Sequence, residues 1–237
     1  MIRNVELSEI SDGRIYETHD LCKVDTCECS GCHMCCEGME DTVVLDPYDI
    51  FQLSQCLNCN PQLLVGKFIE LNVKDSLILP HIIFSSDTKK CVFLNEKGLC
   101  SIHASRPGIC RIFPLGRYYH DNKHSYIIQV HECNHKKVKT KINKWIGYQN
   151  INDYELYIDR WHYFLKCIES KVHTENPSDE DLKQWNLLIL KLFYFKQYDA
   201  KAGSNHSENL FDIDFYNEFL GRLYYSFDIF NISSQES

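Results

Sequence analysis

Four cysteines fall within eight residues, Cys29-Ser-Gly-Cys32-His-Met-Cys35-Cys36, and no other stretch of the 237-residue chain restricts its folding as sharply. The segment offers a core few apolar side chains. Its order has to come from bonds to sulfur, made either by disulfides or by a metal. The chain carries thirteen cysteines, and six of them lie between Cys22 and Cys36. The opening MIRNVELSEISDGR is polar and lacks the apolar run of a signal peptide, so a cytoplasmic setting is expected. In a reducing compartment crowded thiols read as metal ligands, and the odd count argues the same way.

Two residues between cysteines let one turn aim both thiolates at one ion, and Gly31 frees the backbone for such a turn. Three cysteines at successive spacings of three match the first ligands of the bacterial ferredoxin run, where a fourth comes from elsewhere. Adjacent Cys35 and Cys36 do not easily share one tetrahedral ion, which leaves Cys36 for a second site. Downstream stand Cys91, Cys100, Cys110 and Cys133. Eight thiolates allow two four-ligand sites, or one site with spare structural thiols. A zinc ion or a [4Fe–4S] cluster on four thiolates carries a charge of about −2. Arg106 and Arg111, which flank Cys110, are placed to offset it. The ferredoxin-like spacing favours an iron–sulfur cluster over zinc.

The rest of the chain reads as α+β, with a small irregular cysteine-rich half over residues 20–135 and a three-helix half over 136–237. Asp46 caps a helix with Pro47 at its first position, running to about Cys56. Short strands are expected over Val5–Ile10, Thr42–Leu45, Leu77–Phe84 and Cys91–Leu94, and a helix over Pro61–Glu70. A helical turn is expected at Ser101–Ser105, and a hairpin pairs Arg117–Tyr119 with Ser125–Val130. Five lysines between Lys136 and Lys144 read as a solvated surface. Apolar residues then recur at helical spacing from Tyr154 to Val172, from Leu182 to Phe195 behind a Ser178 cap, and from Phe215 to Phe230. Gly203-Ser204-Asn205 breaks the last two.

Three segments resemble the YkgJ-like CxxCxxCC cysteine-cluster family, described as zinc- or iron-chelating domains. They are CSGCHMCC at 29–36, VVLDPYDI at 43–50, and CVFL with GLCSIHASRPGICRIFPL across 91–115, closed by Cys133. The resemblance covers about 105 residues, under half of the chain. It implies metal ligation by Cys29, Cys32, Cys35, Cys36, Cys91, Cys100, Cys110 and Cys133. Such proteins are often labelled Fe–S oxidoreductases, and a flagellin lysine-methylating protein is a distant relation. His103 stands where the family pattern has an aromatic residue.

These readings leave three functions: a redox protein built on an iron–sulfur cluster, a zinc-stabilised module that meets a protein partner through its C-terminal helices, and a protein lysine-modifying enzyme. A net charge of −8 argues against nucleic acid as the main partner. No run approaches the roughly 18 apolar residues of a membrane span. Cys22, Cys27, Cys56, Cys59 and Cys167 lie outside the pattern and read as thiols that hold no metal. His33 reads as orienting a sulfur or facing solvent. A hydroxyl replaces a thiolate poorly at a soft metal. Serine at Cys32, Cys35, Cys100 or Cys110 is therefore expected to strip metal, and serine at the other five to leave stoichiometry intact, as elemental analysis of each variant will show.

Overall fold

The computed structural model describes residues 7–25, 33–130, 137–199 and 210–233. It is α+β, as expected. Among the described residues the strands form three separate antiparallel pairs. β1 (Leu21–Asp25) pairs with β6 (Lys137–Lys141), β2 (Ile69–Lys74) with β3 (Leu77–Ile82), and β4 (Leu115–His120) with β5 (Lys123–Ile128). The short helices α1 (Leu7–Ile10), α3 (Gly108–Ile112) and α4 (Ile142–Ile146) and the eleven-residue α2 (Pro47–Leu57) are set among them. The long helices α5 (Ile151–Glu175), α6 (Asp179–Ile189) and α7 (Ile213–Phe230) make the C-terminal part. None of the described helices is long and apolar enough to cross a membrane.

Helix α2 starts where its sequence says it should. The Asp46 carboxylate accepts from Asp49 N at 2.9 Å, and the Asp49 carboxylate accepts from Asp46 N at 3.0 Å, so two N–H groups at the helix start are satisfied reciprocally. Ser178 caps α6 through Asp181 N at 3.2 Å. α7 has a cap that the apolar pattern alone did not locate, Asp212, which accepts from Phe215 N at 2.8 Å.

Several short elements differ from expectation. The strand expected over Val5–Ile10 is a helical turn at Leu7–Ile10, closed by Ser11, whose N and Oγ both donate to Leu7 O; residues 5 and 6 lie outside the described set. The helix expected over Pro61–Glu70 ends after one tight turn, Pro61–Leu64. Gly66, at φ +76°, reverses the chain and donates to Ile69 O, which starts β2. Val43–Leu45 lies along β3 with a single bridge, Val44 to His81. Pro80 has no N–H for a longer ladder there, although its carbonyl accepts from Leu45 N at 2.9 Å. Cys91 and Leu94 make isolated bridges to Phe84 and Cys100 in place of a strand. The hairpin is longer than expected and turns on Asp121 and Asn122, both at positive φ.

The lysine run hides a strand. Val138, Lys139 and Lys141 stay exposed, while β1 opposite buries Cys22 and Val24. Cys22 Sγ donates to Thr140 O at 3.5 Å, which makes it a core residue of this pair. The helix expected to run to Phe195 leaves α geometry after Ile189 and closes as a π-helical turn over Leu190–Phe195. Arg222 explains the change: Nη1 donates to Leu192 O and Lys196 O, and Nη2 to Gln197 O, which draws the last carbonyls out of the α ladder. The break at Gly203–Asn205 falls outside the described residues.

One cluster of buried side chains runs through both parts of the chain. Tyr48 on α2 packs against Phe211 and Phe215, with ring centroids 4.6 and 4.9 Å away. Tyr157 on α5 meets Phe219 at 4.8 Å, and Trp161 meets Phe193 at 5.0 Å. Tyr157 is also a polar joint, since its hydroxyl accepts from Tyr48 N at 2.9 Å and donates to Asp46 at 3.0 Å. Tyr157→Phe keeps the ring and leaves the buried Tyr48 N–H without an acceptor. It should cost about 1–3 kcal/mol, read from the denaturation midpoint with the slope unchanged.

Candidate metal centre

The cysteines come from three short segments laced together by backbone bonds. Cys35 and Cys36 lie on a tight turn over Met34–Cys36, where Cys36 N donates to His33 O at 2.8 Å. That turn is tied to the second segment. Cys91 N donates to Cys36 O at 2.8 Å, Gly38 N to Lys89 O at 2.9 Å, and Lys90 pairs with Glu37 at 3.3 Å. The second segment doubles back so that Leu94 bridges to Cys100. The reversal is held by Asn95, whose carboxamide oxygen accepts from Lys97 N and Leu99 N at 3.0 Å each, and by Gly98 at φ +71°. Arg106-Pro107 then stops the turn His103–Ser105 and starts α3, whose third residue is Cys110.

The thiols are gathered closely enough to disturb one another's ionisation. Burial pushes the Cys91 thiol up to about 11, with further increments from Cys100 and Cys35. Burial also raises Cys110 well above the usual thiol range, and Cys35, Cys91, Asp49 and Cys100 raise it further. Cys100 is raised by burial and by Cys35, against a lowering by Arg106. Cys36 is raised chiefly by its hydrogen bond with Cys35, then by burial and by the charges of Cys35, Cys91 and Cys110. Every pairing among Cys35, Cys91, Cys100 and Cys110 occurs in these interactions. Ionised together, these four half-buried thiols would repel one another, and a cation among them would offset that repulsion.

The set is gathered without being closed. Among the described residues no group of three or more His, Cys, Asp or Glu side chains already stands as an ion cage. Cys29, Cys32 and Cys133, along with His131 and His135, lie outside the described residues. The donor chemistry nevertheless fits zinc or iron, being soft sulfur that is half-buried and repels itself when ionised. His33 adds a buried Nδ1 with no hydrogen-bond partner, packed against Gly98, where a Cβ would come within 3.1 Å of that nitrogen.

The two arginines divide differently from expectation. The charge of Arg106 acts on Cys100. Arg111 is buried, lies 4.7 Å over the Tyr148 ring and donates to Ala104 O at 2.8 Å. Of the five cysteines outside the pattern, Cys56 is exposed on α2. Cys59 lines a separate cavity of about 240 Å³ with Tyr194, Tyr198 and the amides Gln55, Asn58 and Gln197. Cys167 is half-buried beside the Tyr163 hydroxyl. Cys27 lies outside the described residues.

Sequence reasoning assigned Asp49 only to the helix start. The structure gives it a second partner, Gly108 N at 2.7 Å, two residues before Cys110. The aspartate's place in a capping box explains one of its oxygens, and nothing in the local pattern marks the other.

Thiol-rich segments brought together on short turns beside a helical body are the frame of a metal-binding domain. Residues 28–140 match the model of the CxxCxxCC family, described as a "putative zinc- or iron-chelating domain". The matched segment contains the CSGCHMCC run and Cys91, Cys100, Cys110 and Cys133, so the resemblance read from those residues holds. Neither the curated proteins nor the solved structures provide a match to the chain.

Gly98 is one weak point of this architecture. Gly98→Ala forces a side chain into the left-handed region, at about 1–2 kcal/mol, and drives its Cβ onto the His33 ring. Metal content should fall together with the melting temperature. Adding His33→Ala should recover the steric share only, as a comparison of the single and double variants will show.

Proposed function

We propose that the chain holds an iron–sulfur cluster and serves as an electron-transferring or oxidoreductase-type protein of the cytoplasm. The observation that carries the reading is the run of spaced cysteines together with the downstream thiols that the fold brings toward it. Cys35, Cys36, Cys91, Cys100 and Cys110 interact among themselves. Cys29, Cys32 and Cys133 belong to the same pattern. A zinc ion and a [4Fe–4S] cluster each take four thiolates, so what favours the cluster is the spacing of Cys29, Cys32 and Cys35, which matches the bacterial ferredoxin run.

In this reading the ligands are drawn from Cys29, Cys32, Cys35, Cys36, Cys91, Cys100, Cys110 and Cys133. When bound, the cluster supplies one-electron chemistry. The protein's own part is to bring the thiolates together, cover them in part, and set Arg106 against the charge at Cys100. The tight turns also aim backbone N–H groups near the sulfurs, which lowers the cost of concentrated negative charge. The alternative is a zinc-stabilised module with a protein partner at its C-terminal helices, where Leu187, Tyr224, Tyr225 and Ile229 are exposed.

Protein prepared without oxygen should be brown, absorb broadly in the violet and contain acid-labile sulfide in proportion to iron. Colourless protein with stoichiometric zinc and no sulfide would decide for the zinc module.

A further inference from the structure

Asp49 is a buried acid that the cap alone does not explain. A capping-box residue needs one oxygen, and Asp49 Oδ2 meets that need by accepting from Asp46 N at 3.0 Å. Only 3% of the residue is exposed, and Oδ1 turns inward to accept from Gly108 N at 2.7 Å, across 59 positions of sequence. Burying a carboxylate is costly unless its oxygens are fully used. Here the second oxygen is used on the segment that carries Cys110.

Gly108 is enclosed on the remaining sides. A Cβ there would come 2.5 Å from the Tyr154 hydroxyl, 3.5 Å from Arg117 Nη2 and 3.7 Å from Asp49 Oδ1. Those neighbours are themselves locked, since Arg117 Nη2 donates to the Tyr154 hydroxyl at 2.8 Å. The α3 turn therefore begins at a point fixed by Asp49 from one side and by the Tyr154–Arg117 pair from the other. Cys110 follows two residues later.

We propose that Asp49 is a positioning residue of the metal centre, holding the Cys110 thiolate at ligating position through Gly108 N. This rests on the metal-centre reading above. Asp46 supplies the control, because it belongs to the same buried cluster and does not touch Gly108. In Asp46→Asn, Oδ1 still accepts from Asp49 N and the Tyr157 hydroxyl, and one buried charge is removed. Asp49→Asn removes the same charge but breaks one of the two bonds, because its amide would face an N–H at either Asp46 or Gly108. Asp49→Ala breaks both.

Two readouts on the full chain test this. The first is the rate at which anaerobically isolated protein loses its bound iron or zinc to a chromophoric chelator. The second is hydrogen exchange at the Gly108 amide. Asp49→Asn should release metal roughly tenfold faster than wild type, with Gly108 exchange accelerated, and Asp46→Asn should match wild type in both. Gly108→Ala should reproduce the fast release, which keeps the test open if Asp49→Ala fails to fold. Metal-loaded wild type with equal release from Asp46→Asn and Asp49→Asn overturns the role of Asp49 and leaves the metal centre standing. Wild type that holds no metal overturns both.

Discussion

The start of α2 is the joint on which the arrangement depends. Two aspartates cap each other there, and each has a second obligation. Asp46 accepts from Tyr157 on α5, and Asp49 accepts from Gly108 ahead of Cys110. Burial raises both carboxyls above their usual range, and Arg117 works against that rise. A buried acid pair of this kind is tolerated because its oxygens meet N–H and O–H donors and a cation lies nearby. Remove the pair and the Cys110 segment loses one of its attachments to α2 and α5.

The division of labour follows from composition. The cysteine segments are short turns, held by backbone bonds and single bridges, and anchored in the core only at points such as Phe93, Ile102 and Ile112. The C-terminal helices bring the opposite, a dense set of Tyr, Phe and Trp rings at contact distance. Tyr48 belongs to both, since it sits on α2 and packs into the rings of α7. Rigid aromatic packing can therefore hold flexible ligand turns in place, which soft ligand bonds alone would have to do at greater entropic cost.

Much of this was legible in the sequence. The cap at Asp46-Pro47, the three apolar stripes and the spaced cysteines each carry a local signal, and the structure places α2, α5, α6 and α7 accordingly. What escaped was non-local. The β1–β6 pair was hidden because Lys137–Lys141 reads as charge before it reads as alternation, and its partner Leu21–Asp25 is too short to show a period. The π-helical turn depends on Arg222, thirty positions beyond Leu192. The second bond of Asp49 depends on a glycine chosen for lack of space, and spacing cannot reveal that. Of the eight cysteines in the pattern, Cys35, Cys36, Cys91, Cys100 and Cys110 are described and lie together, while Cys29, Cys32 and Cys133 fall outside the described residues.

The most direct measurement is X-ray absorption at the metal edge of anaerobically isolated protein. A sulfur-only first shell, with neighbouring iron atoms in the second, is the expected result. A first shell of nitrogen and oxygen, or an edge signal no stronger than trace metal, would contradict a centre built on these thiolates.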